Sequence, residues 1–233
     1  MIAISYSDIA HIFSLERKEE RSEFSTLIQS ESGSALDVPC ASGFRLKYLL
    51  EKHSEVYGVD ISDKMLEICN LEIGKLRNSN IHLMQLDLKN IVQIGKKFDV
   101  VYILEYAIQF LSNSEIKKLL SELHQIGKKF YIEIYDYSRC FIPEKKEFFL
   151  ENNKEILLQV NYFCSEDRVR IRKTYQIDNK IYTQEIKMYN YKLKRFLKLL
   201  SDCDLKVCGI YKNYQKVSYE RNNPRAILEI CTE

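Results

Sequence analysis

The chain has 233 residues, of which 45% are hydrophobic and 29% charged, with a formal net charge of +2. These values describe one ordinary globular domain with a full core, and they exclude a strongly basic nucleic-acid binder. No apolar run reaches the ~18 residues of a membrane span. Seven cysteines without a C-x-x-C pair, and histidines scattered at 11, 53, 82 and 124, predict no zinc site, no disulfide framework and a reducing cytoplasm.

Residues 2–30 read as helical and amphipathic, with Ile9, Phe13 and Leu15 followed by Phe24, Leu27 and Ile28. The charged run Glu16–Arg21 forms the solvated face. The opening MIAISYSDIAHIF lacks a basic n-region, so no signal peptide is expected. Two short apolar runs follow, Ala35–Val38 and Val56–Asp60. Between them lie the turn Pro39-Cys40-Ala41-Ser42-Gly43 and a helix over Phe44–Lys52. Strand, turn, helix and strand make one right-handed βαβ unit. Such units bind nucleotides beyond the carboxyl ends of their strands, and a carboxylate at Asp60 can accept hydrogen bonds from both ribose hydroxyls. Only Gly43 stands where a dinucleotide fold needs three glycines, so a pyrophosphate cradle is disfavoured.

Ser62 or Asp63 caps the next helix, which carries Met65. Ile81–Leu86 alternates as a third strand and runs into Asp87, an acid at a strand end or simply a turn residue. Lys97–Leu104 is a nearly continuous apolar run, the mark of a central parallel strand buried on both faces. Glu105, Tyr106, Gln109 and Phe110 follow it. Ser112 and Glu115 form a capping box on a helix over Asn113–Ile126, closed by Gly127 at C′. Lys129–Tyr135 is a fifth strand with the exit Asp136-Tyr137-Ser138-Arg139.

The helical period then stops. Three alternating runs, Ile156–Phe163, Arg168–Ile177 and Ile181–Tyr189, predict an antiparallel meander over 155–190. Arg168, Arg170 and Arg172 share one face, as a solvated surface, a basic patch or a dimer contact. Lys192–Ser201 is the last helix, and Leu205–Tyr211 and Ala226–Cys231 close the sheet as an antiparallel pair.

The stretch Asp37-Val38-Pro39-Cys40-Ala41-Ser42-Gly43, with Asp60 following, resembles motif I and the acidic loop of the class I S-adenosylmethionine-dependent methyltransferases. Pro39 and Ala41 stand where that family often has glycine; alanine is tolerated if φ stays negative. The resemblance implies an α/β, doubly wound Rossmann-like sheet of seven strands, mostly parallel with an antiparallel last strand. The meander adds a small three-stranded antiparallel insertion, and the whole is a single domain over 1–233. Residues 1–32 become an N-terminal helical lid, and 155–190 a substrate cap or dimer contact. The cofactor would be S-adenosylmethionine, with S-adenosylhomocysteine as product. It would be bound by Asp37, Pro39, Cys40, Ala41, Gly43, Asp60, Ile61, Met65, Asp87, Leu88 and Leu104, with Tyr6 of the lid facing its carboxylate. Cys40 is read as structural rather than nucleophilic. Glu105, Tyr6, Tyr106, Tyr135 and Asp136 are candidates for a base. Leu104-Glu105-Tyr106-Ala107 replaces the D/N-P-P-Y/F of nucleobase amino-methyltransferases and disfavours that chemistry. The architecture is similar to small-molecule N-methyltransferases of amino sugars and natural products.

The expected activity is methyl transfer to a small molecule or peptide, amine rather than hydroxyl, with proximity and orientation as the main catalytic effects and no metal. An RNA or protein methyltransferase with the same cofactor is the alternative, and a non-catalytic binding protein a second. Nucleic acid and membrane are not expected partners; a homodimer through the inserted sheet is.

Overall fold

A computed structural model of the chain describes residues 2–3, 21–74, 80–139, 145–151, 154–177 and 179–232. Its strands in chain order are β1 (Ile2–Ala3), β2 (Ser34–Asp37), β3 (Glu55–Asp60), β4 (Ile81–Gln85), β5 (Phe98–Ile103), β6 (Gly127–Tyr135), β7 (Lys145–Glu151), β8 (Lys154–Cys164), β9 (Arg168–Ile177), β10 (Lys180–Tyr189), β11 (Lys206–Tyr211) and β12 (Arg225–Cys231). The helices are α1 (Arg21–Leu27), α2 (Leu46–Leu50), α3 (Asp63–Gly74), α4 (Asn113–Ile126) and α5 (Leu193–Ser201).

Seven strands form one sheet in the order β11-β12-β6-β5-β2-β3-β4. β2 lies parallel to both β3 and β5, while β12 runs antiparallel to β6 and β11. This is the doubly wound sheet expected, with its antiparallel last strand. β5 sits inside the sheet and is buried almost throughout, which is why its sequence is continuously apolar. Alternate side chains feed two cores. Val101 and Ile103 pack with Ile116, Leu120 and Leu123 of α4 and Phe196 and Leu200 of α5. Val100 and Tyr102 pack on the other face with Phe24, Leu27, Leu46 and Cys69 from α1, α2 and α3. Each fully buried aliphatic side chain contributes about 1.5–3 kcal/mol to the fold.

A second sheet has five strands in the order β1-β10-β9-β8-β7. The three runs read from sequence are its centre, and β7 and β1 extend it on either side. Ile2 and Ala3 pair parallel with Tyr182 and Thr183, so these two residues are strand rather than the start of a helix. Arg21–Leu27 is helical as expected, and residues 4–20 lie outside the described residues. The inner face of this sheet packs Leu158, Val160, Ile171 and Tyr175 against Tyr137 and Tyr135. Arg168, Arg170 and Arg172 lie on the outer face. Arg172 donates to Glu185 across the strands at 2.8 Å, and Arg170 and Arg172 lie over the Phe163 ring.

Two local expectations change. The Ser112–Glu115 capping box forms, but Gly127 is not a left-handed cap. Its φ of −163° starts β6 directly. A Cβ there would lie 2.8 Å from Val101 Cγ2, so glycine permits the close approach of helix end and sheet. Cys208 and Cys231 are joined as a disulfide between β11 and β12, with a Cα–Cα distance of 6.3 Å. Spacing alone could not show this pair, because antiparallel pairing brings together residues far apart in sequence. Cys40, Cys69, Cys164 and Cys203 are free.

Candidate active site

β2, β3 and β5 end side by side, and the loop after β2 bends over their carboxyl ends. Val38 N–H donates to the Tyr102 carbonyl at 2.9 Å and Cys40 N–H to that of Val59 at 2.8 Å, so the loop is tied to strands on both sides. The Val38–Pro39 peptide is cis. Ala41 adopts φ +49° and Gly43 φ +82°. The condition under which alanine is readily tolerated here, a negative φ, is not met; this alanine takes a glycine-like conformation that costs an L-residue about 1–2 kcal/mol. Asp60 offsets that strain. Its carboxylate accepts the Ala41 N–H at 2.9 Å and the Ser62 N–H at 2.8 Å. Each oxygen keeps a further acceptor site. Burial raises the Asp60 pKa, against the lowering by these two amides.

Arg45 lies beneath this loop, fully buried. Its Nε donates to both Asp37 oxygens at 2.9 and 3.0 Å, Nη1 to Glu105 Oε1 at 2.5 Å, and Nη2 to the Pro39 carbonyl at 2.5 Å. Burial lifts the Asp37 carboxyl to about 7, with Arg45 pulling in the opposite direction. Glu105 and Tyr106 both have left-handed backbones, at φ 58° and 61°. Their turn is fixed from behind by Glu133 on β6. Glu133 accepts the Glu105 N–H at 2.9 Å, the Tyr214 hydroxyl at 2.8 Å and Arg225 Nε at 2.9 Å. Four buried carboxylates (Asp37, Asp60, Glu105, Glu133) thus face two guanidiniums (Arg45, Arg225), an excess of two negative charges when all are ionised.

Most of the expected site residues converge here. Ile61 stands 62% exposed on the rim, an apolar surface beside Asp60. Met65 is buried against Ala41 under the loop. Leu104 is buried at the end of β5, and Leu88 packs partly into the core. Asp87 caps the 3-10 turn Leu88–Ile94, accepting the Lys89 N–H at 3.1 Å, which is the turn role. The Cys40 thiol points into the core towards Cys69, and that contact with burial raises its pKa. Glu105, a candidate base, accepts a hydrogen bond from Arg45 Nη1 and so also ties the turn after β5 to the loop after β2. Asp136 is buried and accepts the Ser138 N–H at 3.1 Å and hydroxyl at 2.5 Å. Tyr106, Tyr135, Tyr137 and Tyr162 form a row with centroid spacings of 5.5, 4.6 and 6.1 Å, running from the end of β5 to the second sheet. Tyr6 lies outside the described residues.

Sequence reasoning missed Arg45, Glu133 and Gln109 as site-building residues. Arg45 lies one turn before Leu49 on the buried side of α2, and Glu133 interrupts the apolar run of β6. A charge on a face that must be buried was the available signal. Gln109 is also buried. Its amide donates to the carbonyls of Tyr135 at 3.1 Å and Tyr189 at 2.9 Å and accepts the Tyr135 N–H at 2.9 Å, fastening the two sheets together.

Residues 35–129 match the family model described as "Methyltransferase domain". The chain carries a methyltransferase domain. The matched residues hold the loop after β2, Asp60 and the Glu105–Tyr106 turn. No curated protein matches the chain. Among solved structures, the methyltransferase domain and the inserted sheet together resemble an S-adenosylmethionine-dependent methyltransferase from Clostridium acetobutylicum. That likeness has 18% identity, 97% and 98% of the two chains covered, and a TM-score of 0.82. A sugar N-methyltransferase from a Streptoalloteichus species is similar at 14% identity, with 98% and 93% covered and a TM-score of 0.75. An amino pentose methyltransferase from Micromonospora echinaspora is similar at 13%, with 98% and 92% covered and a TM-score of 0.70. At these identities the likeness is one of fold, that of class I S-adenosylmethionine-dependent methyltransferases. Among the described residues no helix is long and apolar enough to cross a membrane, and no cluster of side chains could hold a metal ion.

Proposed function

We propose that this domain transfers a methyl group from S-adenosylmethionine to an amine of a small, hydroxyl-rich molecule. The observation that carries the reading is Asp60. It is a buried carboxylate at the end of β3, with its oxygens oriented by the amides of Ala41 and Ser62 and one acceptor site left on each. The donor set fits the cofactor. A ribose diol needs two acceptors, an adenine needs an apolar surface such as Ile61, and a sulfonium cation is favoured where buried carboxylates outnumber guanidiniums.

S-adenosylmethionine supplies the electrophilic methyl group on a sulfonium centre. The chain's residues bind, orient and exclude water. Asp60 and the loop over Pro39–Gly43 hold the nucleoside side of the crevice. Leu104 closes its floor. On the acceptor side the tyrosine row offers flat apolar faces with hydroxyl tips, which suit a ring bearing hydroxyls. A neutral amine needs little activation. Tyr106, Tyr135 and Asp136 can therefore act by orienting the acceptor or taking up its proton, without a dedicated base. The second sheet is read as the cap over this space, fastened by Gln109, and its edge strand β7 as a surface for a second copy. Similarity of fold to a sugar N-methyltransferase and an amino pentose methyltransferase supports the choice of acceptor class.

The test is transfer of radiolabelled methyl from S-adenosylmethionine to a panel of amino-sugar nucleotides, short peptides and bulk tRNA. Label in the amino sugars, lost in Asp60→Ala, is the expected result. Label in tRNA alone would overturn the acceptor assignment.

A further inference from the structure

We infer that Arg45 is a positioning residue that makes the cofactor loop and the acceptor-side turn one mechanical unit. The inference rests on the methyl-donor reading of the crevice and goes beyond it, because Arg45 acts through the site residues it holds, Asp37, Pro39 and Glu105, rather than on donor or acceptor.

The guanidinium is fully buried and meets three separate segments. It holds Asp37 where β2 ends, the Pro39 carbonyl within the loop over the crevice, and Glu105 in the turn after β5. That turn contains two consecutive left-handed residues, Glu105 and Tyr106, which an unconstrained chain would not keep. It is held on one side by Arg45 and on the other by Glu133, through the Glu105 N–H. The loop is likewise strained at Ala41. Both strained segments therefore lean on one planar fork of donors. Lysine could supply the charge but not the fork, since an ammonium is a single point donor. A shift of the turn is transmitted to the Pro39 carbonyl through one rigid group, so occupancy of the loop and the position of Tyr106 are linked. Charge adds to geometry. Without Arg45 the buried carboxylates of Asp37 and Glu105 would lose the cation they share.

Calorimetric titration with S-adenosylhomocysteine tests this on wild type, R45M, R45K, E105Q and R45M/E105Q. Each is measured below its own melting temperature, with the fold checked by circular dichroism. R45M should weaken binding by about tenfold or more, within the usual range for coupled sites, with R45K in between. E105Q should weaken binding when Arg45 is present and add nothing in the R45M background. Wild-type affinity in R45M, or independent additive effects of the two substitutions, would overturn the inference. If R45M does not fold, the same cycle is read with R45K. No binding by the wild type would overturn the methyl-donor reading itself.

Discussion

Gly43 should be the most intolerant position of the cofactor loop, and its cost can be divided into two parts. Its φ of +82° is left-handed, and a Cβ built there would overlap Cys69 Sγ and lie 3.4 Å from Cys69 Cβ and 3.5 Å from Leu46 Cδ1. The backbone part of Gly43→Ala is about 1–2 kcal/mol. The overpacking part is about 1–3 kcal/mol, since Cys69 is buried and sits on α3. The sum is about 2–5 kcal/mol. Equilibrium urea unfolding reads it directly. Cys69→Ala removes the overlapping sulfur, so adding Gly43→Ala in that background should cost only the backbone part, about 1–2 kcal/mol. An equal cost in both backgrounds would refute the steric explanation. A cost near zero in the wild-type background would refute the loop conformation altogether.

Ala41→Gly should stabilise the protein by about 0.5–1 kcal/mol in urea unfolding, because relief of a left-handed alanine exceeds the entropy cost of glycine. Gln109→Leu removes the three hydrogen bonds that join Tyr135 and Tyr189 at the junction of the sheets, and should cost about 3 kcal/mol. Amide exchange at Tyr135 should quicken in the same variant. Asp37 gives a pH signature. Its carboxyl is raised to about 7 when folded, from 3.8, so the folded state holds a proton that the unfolded chain has lost. The stability this proton contributes is full below the unfolded value and is lost as pH rises through the folded one. Unfolding at a series of pH values should show wild-type stability falling between about 4 and 7 relative to Asp37→Asn, and a flat difference across that window would contradict the burial of this carboxyl.

The sheet was legible because its period and burial are written locally. β5 is buried on both faces and reads as continuous apolar sequence, and Ser112 with Glu115 announces the start of α4. The acids at Asp37 and Asp60 were legible because each ends its own strand. What could not be read depends on contacts between distant segments. Arg45 reaches Glu105 60 residues away, and Gln109 reaches Tyr189 80 residues away. The short β1 earns its place only by pairing with the far edge of β10. The sequence suggested glycine-like freedom at Gly127 for a left-handed cap; the real need was room beside Val101. Asp87 shows the opposite limit, since a strand-end acid and a turn cap have the same local signature.

The most direct measurement is calorimetric titration of wild type and Asp60→Ala with S-adenosylhomocysteine. Wild type should bind one equivalent per chain, and Asp60→Ala, with two loop amides and the diol left without their acceptor, should bind at least about a hundredfold more weakly. No heat from the wild type at millimolar ligand, or equal affinity in the two proteins, would contradict the assignment of this crevice to the methyl donor.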